Sequence, residues 1–180
     1  MKFLNVIIFL LLTSINGYSA SPSEMYENAK KLVDVGEFEK ALIFYEKSCE
    51  GGIAEGCRYA GALYDMGMGV KANVDIALKY YELGCNLNDG DSCMNAASIY
   101  TIGTHSEDLQ AEYKKALELN EKACNLNVGM ACRSLALAYE TGLDVEKNLE
   151  KALSIYEKGC KLNAKLACDD YNKLKNKMKK

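Results

Sequence analysis

Cysteine is the residue type in this chain most able to do chemistry, and its eight copies fall in four pairs: Cys49 and Cys57, Cys85 and Cys93, Cys124 and Cys132, Cys160 and Cys168. The members of every pair stand eight residues apart. Thiols could ligate zinc, cycle between thiol and disulfide, or form structural bridges. Structural zinc takes closely spaced ligands such as C-x2-C, often with histidines; that spacing is absent, and His105 is the single histidine. Redox catalysis generally uses C-x-x-C beside a strand, which is also absent. Structural disulfides are the reading that remains. Of the connectivities open to eight cysteines, neighbour pairing (Cys49–Cys57, Cys85–Cys93, Cys124–Cys132, Cys160–Cys168) gives every unit the same bridge. Pairing Cys57 with Cys85, and so on along the chain, would strand Cys49 and Cys168.

Other catalytic chemistry finds little footing. Serine β-lactamases use S-x-x-K with S-D-N and K-T-G; no serine here has lysine three residues on, and neither triplet occurs. Metalloenzymes need several histidine or carboxylate ligands in a cluster. His105 lies in the polar run Thr104-His105-Ser106-Glu107 and reads as a solvated loop residue. The residues themselves point to no catalytic group, no metal site and no cofactor.

The elements that position the cysteines repeat with them. The pairs recur after 36, 39 and 36 residues, a period characteristic of stacked helical repeats. Eight residues before the first cysteine of each pair stand Ala41, Ala77, Ala116 and Ala152; four before it stand Tyr45, Tyr81, Asn120 and Tyr156. Intervals of four place alanine, tyrosine and cysteine on one stripe of a helix. Three past that cysteine come Gly52, Asn88, Asn127 and Asn163, residue types that accept the left-handed conformation ending a helix. Small residues precede the second cysteine: Gly56, Ser92, Ala131 and Ala167. Gly67, Gly103 and Gly142 follow it by ten and end the next helix. Helices are expected over 23–34, 37–50, 53–66, 75–87, 90–102, 109–126, 129–141, 147–162 and 165–178. The fold class is all-α, an α-solenoid of stacked antiparallel helix hairpins, each cross-linked by a disulfide. Helices 23–34 and 165–178 cap its ends. The second of these runs into Lys173, Lys175, Lys177, Lys179 and Lys180, which read as a solvated outer face.

Lys2, the apolar run from Phe3 to Leu12, and the small residues ending at Ala20 have the pattern of a secretory signal peptide. The run is short for spanning a bilayer, so no stable membrane anchor is expected. Residues 1–20 are taken as a cleaved signal, with a cut after Ser19 as the competitor, and 21–180 as one domain. A secreted or periplasmic location suits structural disulfides. Formal net charge is -3, from 22 basic and 25 acidic side chains. That balance gives no case for nucleic acid or an anionic membrane as partner.

The segments Ala-Leu-Lys-Tyr-Tyr-Glu-Leu-Gly-Cys (77–85) and Ala-Leu-Ser-Ile-Tyr-Glu-Lys-Gly-Cys (152–160), with Ala-Gly-Ala-Leu-Tyr-Asp-Met-Gly-Met-Gly-Val (60–70), resemble Sel1-like repeats, relatives of the tetratricopeptide repeat. The paired cysteines make the chain similar to the Helicobacter cysteine-rich protein family, from about residue 23 to 176. Asn120 in place of tyrosine and a longer second loop (Thr101 to Gln110) depart from the pattern. The resemblance implies a monomeric binding scaffold for a protein or peptide, such as a host protein or a peptidoglycan fragment. It also implies an alternative, a β-lactamase or penicillin-binding activity, for which no motif was found. In such arrays the helix after the second cysteine lines the concave face, which makes Arg58, Tyr59, Asn95 and Arg133 the candidate binding residues.

Overall fold

The computed structural model describes residues 20–102 and 109–179. Among them are nine α-helices and no strand: α1 (Pro22–Asp34), α2 (Phe38–Glu50), α3 (Ala54–Met66), α4 (Val74–Asn86), α5 (Gly90–Ile102), α6 (Leu109–Asn125), α7 (Gly129–Thr141), α8 (Leu149–Lys161) and α9 (Lys165–Met178). Each helix packs chiefly on its neighbours in the chain, and α3 and α7 also touch α5 and α9 respectively. This is the expected solenoid. Residues 1–19 of the expected signal segment lie outside the described residues, as do Gly103 and His105.

Capping side chains account for where α1, α4 and α8 begin. Ser21 and Glu24 form a reciprocal capping box at α1, with Pro22 at the first helical position. Helices α4 and α8 start at Val74 and Leu149, not at 75 and 147 as expected, because Asn73 and Asn148 are the caps. Their Oδ1 atoms accept from the backbone N–H of Ile76 at 3.0 Å and of Lys151 at 2.8 Å. Other bounds agree or move by one residue.

The turn inside each cysteine pair is the same four times. Gly52, Asn88, Asn127 and Asn163 all have positive φ, between 63° and 87°. The N–H of each of these residues donates to the carbonyl of the nearby cysteine, at 2.9–3.1 Å. The next residue's N–H reaches back to the carbonyl of Ser48, Gly84, Ala123 or Gly159, at 2.9–3.1 Å. This pair of bonds is the Schellman motif, which satisfies the last carbonyls of a helix. With the turn set, the cysteines face each other across it. Bridges Cys49–Cys57, Cys85–Cys93, Cys124–Cys132 and Cys160–Cys168 hold their α-carbons 4.5–4.6 Å apart, near the short end of the disulfide range.

So close an approach leaves room for small neighbours only. A methyl group added at Gly159 would stand 2.9 Å from the Ala167 Cβ and 2.9 Å from the Gly129 carbonyl oxygen. Around these contacts the alanine–tyrosine stripe forms the core. Ala41, Ala77 and Ala152 have no exposed surface, and Tyr45, Tyr81 and Tyr156 are buried.

Closing a loop of about nine residues stabilises a fold by about 2.5 kcal/mol on the chain-entropy model. Alanine at both Cys85 and Cys93 is therefore expected to lower Tm by roughly 5–10 °C for a chain of this size, measured by circular dichroism on oxidised protein. An unchanged Tm would count against a structural role for the bridge.

Candidate functional site

Helices α3, α5 and α7 carry the candidate residues just past the second cysteine of each pair. On α3, the Arg58 guanidinium lies 3.2 Å from Asp89 and 3.9 Å from Asp91, and 4.8 Å above the Tyr59 ring. Arg133 on α7 reaches Asp170 on α9 at 2.6 Å. Both arginines therefore tie one disulfide-bridged hairpin to the next instead of standing free. Tyr59 stacks on Tyr45 with centroids 5.2 Å apart, and Tyr26 tilts against both. Its ring belongs to an aromatic cluster at the N-terminal end. Asn95 is half-buried on α5 and walls a small pocket. The four residues lie along successive helices of one face, and the chain does not gather them into one cluster.

A second set of polar contacts crosses the array at the tyrosines. Tyr64 and Tyr80 both donate to Glu46 Oε1 at 2.9 Å, Tyr100 donates to Glu82 at 2.8 Å, and Tyr156 donates to Glu140 at 2.9 Å. Burial, followed by the Asp65 carboxylate that meets its hydroxyl, pushes Tyr81 up to about 12. Burial and the bond to Glu82 push Tyr100 up to about 12. Tyr45, Tyr80 and Tyr156 are raised as well, in each case mainly by burial. Removing a phenol from water disfavours its anion, and a carboxylate acceptor beside it adds to that cost.

A concavity lies between α5, α6 and α7. It has a volume of about 440 Å³ and is mostly apolar. Ala116, Leu117 and Asn120 of α6 form one side, with Ser98, Thr101 and Ile102 of α5 and Leu137, Ala138 and Thr141 of α7 around them. Asp144 closes one edge. One of its oxygens accepts from Gln110, while its Oδ2 is buried without a hydrogen-bond partner. A smaller pocket of about 140 Å³ occupies the equivalent place one repeat earlier, bordered by Asp65, Val74, Asn95, Ser98, Ile99 and Ile102. Asn120 departs from the repeat pattern in the sequence, but the sequence alone places no pocket there. The signal was the joint change of Asn120 and Ala138, which stand where the other repeats place large side chains.

No group of three histidine, cysteine, aspartate or glutamate side chains among the described residues is placed to hold a metal ion. None of the described helices is long and apolar enough to cross a membrane.

Comparison with known proteins gives four consecutive matches to the Sel1 repeat model, at residues 20–53, 54–89, 90–128 and 129–163. A 70-residue stretch is 32% identical to the Helicobacter pylori protein HcpD, whose name carries a provisional β-lactamase label. That stretch covers 38% of this chain and 23% of HcpD, so the chain spans less than a quarter of this curated relative. A Sel1 repeat protein from Oxalobacter formigenes superposes with a TM-score of 0.73 at 22% identity, over 84% of this chain and 62% of that one. Cysteine-rich protein B of Helicobacter pylori superposes at 0.54 with 27% identity, over 80% of this chain and 95% of that one.

The raised tyrosines give a signed pH dependence. An unfolded chain loses its phenol protons near pH 10, whereas folded Tyr81 and Tyr100 hold theirs to about 12. Their contribution to stability is complete below pH 10 and is lost as pH rises towards 12. Tyrosinate absorbance followed alongside far-ultraviolet circular dichroism should show a late group of phenols ionising as the helices melt. One transition near pH 10 with the helices intact would contradict this.

Proposed function

The chain belongs to the Sel1 repeat family, and from that premise we propose that it is an exported scaffold that binds a protein or peptide along its inner helices. Stacked helix hairpins offer a curved, extended surface of the kind that suits such partners. The observation that carries this reading is the open, mostly apolar pocket at the centre of the array, which the described side chains leave unfilled. Binding sites are typically concave and apolar with a few polar groups, and Thr101, Asn120 and Asp144 supply those here. Asn95 and, beyond it, Tyr59 extend the surface toward the N-terminal end, with Arg58 and Arg133 fixing the spacing of the helices that bear them.

Export is supported by two features. Four bridges form and persist in oxidising compartments, and Lys2 with the apolar run Phe3 to Leu12 fits a signal segment. On this reading residues 1–20 are removed and 21–180 form one domain, in the periplasm or outside the cell. A partner of host origin or a peptidoglycan fragment suits that location. The β-lactamase alternative draws on the name of HcpD alone.

Three measurements check the reading. Mass spectrometry of protein recovered from the periplasm or medium is expected to give a chain starting at Ser21, or at Ala20 for a cut after Ser19. A cytoplasmic chain that keeps Met1 would overturn export. Oxidised protein on a peptide array should capture a subset of sequences, and reduced protein should lose them. Nitrocefin turnover is expected to stay at the level of a preparation altered at Arg58 and Arg133.

A further inference from the structure

We propose, independently of the scaffold reading above, that the Cys160–Cys168 bridge is a site of thiol–disulfide exchange with small anionic thiols, and that its opening frees α9. The four bridges have the same spacing and the same turn, so their surroundings are what set them apart. Cys49, Cys57, Cys85, Cys93, Cys124 and Cys132 are all buried, between 0% and 7% exposed. Cys160 and Cys168 are both partly exposed. The stacking explains the difference, because each of the first three hairpins is covered by the one that follows. A methyl group built on Gly84 would stand 3.2 Å from the Ala54 carbonyl oxygen, one on Gly90 would meet Val128, and one on Gly159 would stand 3.3 Å from the Cys132 Cβ. Among the described residues no further hairpin follows Cys160–Cys168. An attacking thiolate must reach a sulfur of the bond it breaks, so access is a condition of exchange.

Charge distinguishes the same bridge. Between its cysteines the fourth loop carries Lys161 and Lys165 and no acid. The first carries Glu50 and Glu55, the second Asp89 and Asp91, and the third no charged side chain. Acids do flank the fourth loop. Glu157 meets Lys161 at 3.2 Å in an exposed pair, which is weak in water, and it has counterparts in Glu46, Glu82 and Glu121. Asp170 is engaged by Arg133 and Lys173, and Asp169 is exposed. Cationic neighbours favour thiolates, here both the one that attacks and the one that departs, and they draw in a thiol that carries carboxylates.

The exchange runs in two steps. A thiolate RS⁻ attacks the Cys160 sulfur and forms a mixed disulfide. The electron pair of the broken bond leaves on Cys168, near the start of α9, where a helix N-terminus favours negative charge, and this sulfur then takes a proton from water. A second RS⁻ attacks the outer sulfur of the mixed disulfide, releasing RS–SR and the Cys160 thiolate, which is protonated in turn. Two thiols are oxidised and one bridge is reduced. Afterwards α9 keeps Leu174 packed with Ala136, Ala152 and Tyr156, and Asp170 on Arg133. It loses the covalent tie at its start, where Lys165 and Leu166 are exposed.

The test exposes the full oxidised chain to reduced glutathione, quenches it with N-ethylmaleimide at intervals, and maps each cysteine by peptide mass spectrometry. The Cys160–Cys168 bridge is expected to open first, about tenfold or more ahead of any buried one, with glutathione on Cys160 and maleimide on Cys168. This map is read on the parent chain and needs no variant to fold. Lys161→Gln with Lys165→Gln should slow opening by glutathione about threefold and alter opening by cysteamine, a cationic thiol, far less. Hydrogen exchange of the opened chain should rise across 165–178 and stay unchanged in α3 to α5. Cys160→Ser with Cys168→Ser should show the same rise without any thiol added. All four bridges opening together, another bridge opening first, or glutathione and cysteamine slowed alike would each overturn the exchange site. An α9 as protected after opening as before would overturn its release.

Discussion

The rest of the structure depends on how closely two helices are held at each disulfide. With α-carbons 4.5–4.6 Å apart, the backbones beside the bridge nearly touch, and the flanking residues must be small. Ser48 meets Gly56, Gly84 meets Ser92, and Gly159 meets Ala167. The Schellman turn delivers the chain into this geometry, which is why a left-handed glycine or asparagine stands three residues past the first cysteine every time. Bridge, small pair and turn therefore act as one unit, and losing any member strains the others.

Beyond the bridges, the repeats are held in register by side chains reaching from one to the next. Arg58 to Asp89 and Arg133 to Asp170 lie on one face. Tyr64 and Tyr80 converge on Glu46, and Tyr156 reaches Glu140. These pairs are partly exposed, so each is worth little as a bare charge interaction. Their value is positional: a phenol with a carboxylate partner fixes where its ring sits between hairpins. The central repeat gives up this device at Asn120, and the pocket follows from that omission.

Much of the fold was legible because its signals are local. Eight-residue cysteine spacing, a turn former three residues on, and alanine at a fixed distance upstream all fall within one hairpin. Helix starts at Asn73 and Asn148 were misjudged by a residue or two because an asparagine before a helix can read as loop or as cap until its Oδ1 partner is known. The candidate site was harder to read. Arg58 and Arg133 looked outward from their repeat position, but their acidic partners lie 31 and 37 residues away, in the next disulfide-bridged hairpin. Asn120 and Ala138 belong to different helices, and their joint effect appears once α6 and α7 are seen to face each other.

The separation of eight residues within every bridge also bears on how the molecule is made. Contacts between residues close in sequence form fast, because little chain must be ordered to bring them together. When a cysteine here first meets an oxidant, the thiol nearest along the chain is its native partner, and the next pair is still 28 or more residues off. Correct pairing is thus favoured by proximity before the solenoid is complete. Each hairpin can lock as it emerges, so that synthesis order and stacking order coincide and little depends on later reshuffling.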